Sequence, residues 1–225
     1  MERFVSHRVA RHVGLALALK RRGHRVLLVA PSVFRPVAAR AGLEFAGVLS
    51  DEEWNAALAD PDLWHPFRSF RVVARRLILP ALRPVYDIIA SRRVPGRTVV
   101  AGSALAFGAR IAQEKLGVPL ATVHLQPIML RSVERPVCFG FPNVILHLPR
   151  WARRQYLAAA DRWIIDSLLV GETSAFRAEL GLAPVRRLFN GWIHSPQLTI
   201  GLFPDWFAPP APDWPPHVVL TGFPL

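Results

Sequence analysis

Two polar residues, His124 and Gln126, directly follow the short apolar run 120–123. Such a run is typical of a strand that is covered on both sides, and ligands of parallel sheets bind beyond the carboxyl ends of the strands. We therefore predict that both side chains line a binding site. The alternative for His124 is a core histidine that is hydrogen-bonded to the backbone.

Two further candidates lie near predicted helix starts. The ordinary pKa of a histidine suits general-base chemistry, which makes His12 a candidate base; the alternative is an exposed histidine at the beginning of a helix. Ser103 follows the apolar run 98–101, where its hydroxyl can either cap the next helix or contact a ligand. These four residues (His12, Ser103, His124 and Gln126) are the candidate site.

Metal and cofactor chemistry find little support in the sequence. The other histidines share no metal-ligand spacing, and Cys138 is the only cysteine, so we predict no metal site and no intramolecular disulfide. Neither a GxGxxG nor a GxxxxGK[ST] motif occurs, so no bound cofactor is expected. Cys138 is predicted to be a small buried side chain, and a single cysteine fits the reducing cytoplasm.

The formal net charge is +12, and it comes almost entirely from arginine. The arginines occur in scattered pairs, without zinc-finger or helix-turn-helix spacing, so we expect no nucleic-acid binding. Basic residues alternate with apolar stretches, which favours peripheral contact with an anionic membrane. No apolar run reaches the roughly 18 residues that a membrane span needs. We therefore expect a cytoplasmic protein that contacts a membrane at most peripherally.

The arginine-laced segment 63–92 has two interpretations. Its apolar side chains could form a lipid-facing acceptor pocket, or they could pack against the sheet while the arginines face solvent. In the segment that follows the last helices, Trp206 and Trp214 would pack at the domain interface of a full-length protein, and in this chain they are predicted to be exposed. The apolar residues of 63–92 in question are Trp64, Phe67, Phe70, Leu77, Ile78, Leu79 and Tyr86.

Apolar runs alternate with helical patterns along the chain, which predicts an α/β fold: a doubly wound, Rossmann-like domain with a parallel sheet. A buried helix is expected over 9–22, ending at Gly23. The predicted strands are 25–30, 43–46, 98–101, 120–123, 198–202 and 217–221, and the other predicted helical stretches are 31–41, 62–92, 102–116 and 142–180.

Four segments together resemble a known family. They are VGLALALKRRGHRVLLVAPSVFRPVAARAGLEF (13–45), VVAGSALAFGARIAQEKLGVPLATVHLQP (99–127), FRAELGLAPVRR (176–187) and LTIGLFPDWFAPPAPDWPPHVVLTGFPL (198–225). In this order they look like the N-terminal half of bacterial GT-B glycosyltransferases of the sterol, macrolide and UDP-glucuronosyl type. The resemblance implies two Rossmann-like domains that face each other across a cleft.

The resemblance also implies a division of labour. Residues 1–200 would be an acceptor-binding domain, and the Pro/Trp-rich segment 201–225 would lead to a donor domain, whose His/Gly-rich nucleotide-sugar motif this sequence lacks. The chain would then be the acceptor half of an enzyme that moves a sugar from a nucleotide-sugar to a lipophilic hydroxyl, and it would be inactive alone. A separate donor domain is the expected partner. The alternative is a non-catalytic remnant that binds a hydrophobic ligand or a membrane.

The front of the sequence departs from the family's pattern. Where the family has a glycine-rich loop with an aspartate or histidine base, Arg8 and Ala10 stand at the aligned positions. A guanidinium cannot take up a proton at neutral pH, and alanine has no group that can. His12 is therefore the remaining candidate base in this region.

Overall fold

The computed structural model describes residues 2–66, 68–136 and 144–223. Phe67 and Cys138, which also carry predictions from the sequence, lie outside these residues. The helices are α1 (Glu2–Arg21), α2 (Arg35–Arg40), α3 (Asp51–Leu58), α4 (Ser69–Val73), α5 (Leu79–Arg92), α6 (Phe107–Leu116), α7 (Val144–His147), α8 (Arg150–Ala160) and α9 (Ser167–Glu179). The strands are β1 (Leu27–Ala30), β2 (Glu44–Gly47), β3 (Val100–Ser103), β4 (Leu120–His124), β5 (Leu198–Gly201) and β6 (Val218–Leu220).

All the strand pairs are parallel, as the alternation of apolar runs and helices predicts. The strands form two sheets: β1 pairs with β2, and β3, β4, β5 and β6 follow one another in chain order. The α/β, Rossmann-like class is thus confirmed. The segment 201–225 contributes β6 to the larger sheet. The proposed domain boundary near residue 200 stays a prediction.

Local sequence signals account for several helix ends. α3 begins with a capping box, in which the Ser50 hydroxyl accepts the N–H of Glu53 and the Glu53 carboxylate accepts the N–H of Ser50. α6 ends at Gly117, whose φ of 66° is left-handed and therefore favours glycine. These signals fix where α3 begins and where α6 ends.

The main core lies between the larger sheet and helices α5, α6 and α9. Gly108 allows α5 and α6 to approach closely, because a Cβ at this position would meet the backbone of Leu82 and, at 2.7 Å, the backbone nitrogen of Tyr86. In the segment 63–92, Ile78, Leu79 and Tyr86 are buried in this core. Their burial favours the packing interpretation of that segment.

Two predictions about burial were wrong. The apolar run at 98–101 predicts a buried strand, yet Val99 is 74% exposed, and Ala101 and Ser103 are exposed too. The exposed residues alternate with half-buried ones along the strand, so they lie on one face of β3, and that face is left uncovered. From residue 11 onward, helix α1 is likewise mostly half-buried rather than buried, since the small cluster around β1 and α2 takes up chiefly Val13 and Ala16.

Wide π-helical turns interrupt the regular helices at Ala74–Ile78 and Asp161–Asp166, and a further π-helical turn, Leu188–Trp192, stands by itself before β5. Propensity patterns do not predict such turns, which occur mostly as single insertions and are frequent at functional sites. In the part of the chain that the structure describes, no helix is long and apolar enough to cross a membrane.

Candidate functional site

The carboxyl edge of the larger sheet brings the sequence-predicted residues together. Its first three strands end at Ser103, His124 and Gly201, and because the strands are parallel these ends share one edge. The register places Ser103 opposite Val123 and His124 opposite Gly201. Gln126 follows two residues after the end of β4. Three of the four candidates therefore lie at or just beyond this edge.

His124 occupies a fully buried position, with 1% of its surface exposed. Its Nε2 lies 3.0 Å from Nδ1 of His194, and one of these nitrogens donates the proton that the other accepts. Burial lowers the pKa of His124 to about 3, helped by the neighbouring His194, and lowers the pKa of His194 to about 4. Both rings are therefore neutral at physiological pH. The alternative prediction for His124 was a core histidine hydrogen-bonded to the backbone. His124 does lie in the core, but its hydrogen bond is to a second histidine.

A polar network holds the segment that carries His194 against β4. The Thr122 hydroxyl donates to the carbonyl of Ile193 (3.3 Å) and accepts the N–H of Ser195 (2.9 Å). The Ser195 hydroxyl donates to the carbonyl of Leu120 (2.6 Å) and accepts from the Gln113 amide (3.0 Å). Because these groups are buried and paired, the backbone on both sides of the histidine pair is held in place.

Ser103 and Gln126 differ in whether their polar side-chain groups are already hydrogen-bonded. The Ser103 hydroxyl accepts the N–H of Leu105 at 3.3 Å, so it closes the turn before α6 rather than capping the helix, whose N-cap is Ala106. Ser103 is also exposed. The half-buried Gln126 side chain makes no hydrogen bond with the residues that the structure describes, which leaves its amide available. Whether either side chain lines a site stays a prediction.

His12 lies on α1, where that helix passes the carboxyl edge. The preceding residue, Arg11, donates from its guanidinium to the carbonyl of Leu125 at 3.4 Å. The His12 side chain is half-buried. The geometry thus places the candidate base on an element that reaches the end of β4, and its role as a base stays a prediction.

Three aromatic rings extend this edge: Trp206 and Phe207 after β5, and Phe223 after β6. Their ring centroids are 5.4 to 6.2 Å apart in edge-to-face arrangements. Trp206 is 75% exposed, and the other two rings are exposed as well. The Arg11 guanidinium lies 5.5 Å from the centroid of Phe223, within cation–π range. We call these three residues the edge aromatics.

Sequence reasoning found part of this arrangement and missed part. It predicted exposure for both tryptophans of the last segment; Trp206 is exposed, whereas Trp214 is half-buried against a small cluster with Leu130 and Phe203. It did not find His194 or Arg11, since each is brought to the edge by contacts more than 50 residues away in sequence. The Pro/Trp-rich composition after β5 was the available signal for the edge aromatics.

The comparison with solved structures decides the fold. CalG4, the calicheamicin glycosyltransferase, is 20% identical with a TM-score of 0.56, and the match covers 96% of this chain and 48% of that one. The glycosyltransferase of kitacinnamycin is 18% identical with a TM-score of 0.58, over 94% of this chain and 47% of its own. The spinosyn forosaminyltransferase SpnP is 17% identical with a TM-score of 0.53, over 94% and 46%. The chain has the fold of one half of a GT-B glycosyltransferase.

The chain spans about half the length of these solved structures. No protein-family model matches the sequence, and no curated protein sequence matches it. The resemblance noted in the sequence therefore extends to the fold, at identities where fold similarity alone does not establish activity.

Proposed function

We propose that this chain is the acceptor-binding half of a glycosyltransferase that transfers a sugar from a nucleotide-sugar to a lipophilic hydroxyl compound. The observation that carries the proposal is the match of nearly the whole chain to about half of several glycosyltransferases. A second half would supply the nucleotide-sugar site, and this half alone would neither transfer nor hydrolyse the sugar.

The chemistry of the carboxyl edge supports an acceptor with an apolar body and hydroxyl groups. The edge aromatics offer large rings for apolar contact, and Gln126 offers an amide that can both donate and accept. Trp206 supplies the most exposed of these rings, so it is the side chain we expect to contribute most to binding. The neutral histidine pair beneath the edge holds β4 and its following loop in position.

Binding of a macrolide aglycone or a sterol to the chain tests the acceptor role. Two-dimensional NMR should show shifts concentrated at the Gln126 side-chain amide, the Trp206 indole N–H and the backbone of Phe223. Replacing Trp206 with alanine should weaken binding by about tenfold or more, since a well-packed aromatic contact is worth about 1 to 2 kcal/mol.

A matched control is Trp64→Ala, which removes another exposed tryptophan, from the turn Pro61–Trp64 that is not part of the edge aromatics. It should leave the dissociation constant unchanged. Shifts that cluster away from the carboxyl edge, or equal losses for the two tryptophan variants, would refute the proposed acceptor site. Absence of any binding would count equally against it.

A further inference from the structure

The helical stretch that runs through α8, the turn 161–166 and α9 has one buried side. Every fourth residue is buried: Leu157, Asp161, Ile165 and Leu169. In a regular α-helix a four-residue spacing drifts around the axis, because one turn takes 3.6 residues. The wider π turn over 161–166 reduces this drift and keeps the four positions facing the core. Because the buried side is constant along the stretch, the same opposite side faces solvent throughout.

That opposite side is rich in tryptophan and arginine. We call it the outer face of α8, formed by Trp151, Arg154, Gln155, Arg162 and Trp163, and all five are exposed. Trp151 is 72% and Trp163 76% exposed. Twelve residues separate the two indoles, which corresponds to about 18 Å along a helix. Large exposed rings on a surface helix need a partner that accepts both apolar and polar contact.

The two carboxylates of the turn 161–166 are at least partly withdrawn from solvent. Asp161 is buried and pairs with Arg131 at 2.7 Å. Asp166 is half-buried and accepts a backbone hydrogen bond from Leu188. Among the residues that the structure covers, Arg154 and Arg162 make no salt bridge. The charge of Arg162 is partly offset by Asp166, four residues later. With two arginines against this one half-buried carboxylate, the outer face keeps a net positive charge, which complements an anionic surface.

A groove lies at the amino end of the outer face, with a volume of about 630 Å³. Trp151, Arg150 and Arg154 line it together with Asp213. The Asp213 carboxylate is already engaged by the Ser132 hydroxyl (2.6 Å) and by backbone N–H groups, including that of Val133 (2.6 Å). The Arg150 guanidinium is paired with Glu134 at 2.7 Å. The groove thus offers the guanidinium of Arg154, which makes no salt bridge with the described residues, beside the Trp151 indole, a combination that suits the phosphate of a lipid headgroup.

We propose that the outer face of α8 binds the surface of an anionic lipid bilayer. Tryptophan rings lie at the headgroup level of membranes, and each arginine near an anionic surface contributes to attraction. The arginine-laced segment 63–92 is less suited to this role, because much of its apolar surface is in the core. This inference does not depend on the proposed transferase role.

Co-sedimentation with vesicles tests the proposal on the full chain. Vesicles of equal parts phosphatidylglycerol and phosphatidylcholine should bind the protein at low salt, and pure phosphatidylcholine vesicles should bind it far more weakly. The double variant Arg154→Gln/Arg162→Gln should lower the partition coefficient roughly 30-fold, since one arginine is worth about fivefold. Trp163→Ser should also weaken binding to the anionic vesicles, because an indole is lost from the interface.

A charge-matched control is Arg71→Gln/Arg75→Gln, which removes two exposed arginines from the segment 63–92. It should retain binding within about threefold of the unchanged protein, because arginines outside the contact face gain little of the attraction that falls off within a Debye length of the bilayer. Circular dichroism checks that every variant is folded. Equal binding to both vesicle types, or equal losses for the two double variants, would overturn the proposal. The proposal would also be overturned if anionic vesicles were not bound and Arg154 and Arg162 were instead required for self-association or for DNA binding.

Discussion

The buried pair His124–His194 makes the stability of this protein depend on pH in a calculable way. Both rings have a folded-state pKa far below the ordinary value of 6.5, at about 3 and about 4. A depressed pKa means that the unfolded chain binds protons that the folded chain does not, so stability is lost as the pH falls below 6.5. The loss continues until the pH approaches the folded-state values.

At pH 5 the size of the effect depends almost only on the unfolded state, because the folded pair is still neutral. The pH then lies about 1.5 units below the ordinary histidine pKa, and one unit corresponds to 1.36 kcal/mol. Each histidine therefore costs about 2 kcal/mol of unfolding free energy between pH 7.5 and pH 5, and the pair costs about 4 kcal/mol. This is a large share of the stability of a typical domain.

Urea denaturation at pH 7.5, 6 and 5 measures the effect. The variant His124→Gln/His194→Gln removes both titrating rings, so we expect it to lose about 4 kcal/mol less than the unchanged protein over this range. The control His24→Gln removes an exposed histidine and should retain the full pH dependence. If the double variant and the unchanged protein lose stability in parallel, the burial argument for the pair is wrong.

Two further predictions concern packing and charge. Gly108→Ala should destabilise the fold by about 3 kcal/mol, because the added Cβ meets the backbone at Tyr86. Gly171→Ala in α9 has open space around the added Cβ, so it should be neutral or stabilise by up to about 1 kcal/mol. Thermal denaturation of the two variants separates the effect of crowding from that of helix propensity. Arg131→Met should destabilise by about 3 kcal/mol at neutral pH, since it leaves the buried carboxylate of Asp161 unpaired. Burial already raises the pKa of Asp161, so this loss should shrink as the pH falls, and a constant loss would contradict the assignment.

The sequence allowed the order of elements and part of the candidate site to be predicted, because those features depend on local patterns. The run 120–123 predicts a strand, and the strand end places His124 at the carboxyl edge. Local patterns do not reveal which side chains meet across the fold. His194 reaches His124 only through the network around Thr122, and nothing in the sequence near either histidine indicates the other.

Burial was predicted less well than secondary structure. An apolar run indicates a strand but not whether both of its faces are covered, so the exposure of Val99 was missed. The outer face of α8 was missed for a related reason. Its tryptophans and arginines follow helical spacing, but the wide turn over 161–166 decides which side faces the core, and no simple sequence pattern predicts that turn.

A transfer assay tests the central claim most directly. The chain is incubated with a radiolabelled nucleotide-sugar and a macrolide aglycone, alone and together with the nucleotide-binding half of a glycosyltransferase of the same fold. We predict no transfer and no hydrolysis by the chain alone, and a glycosylated product only when the second half is present. Sugar transfer by the chain alone, or no product in either mixture, would contradict the account of this protein as the acceptor-binding half of a two-domain enzyme.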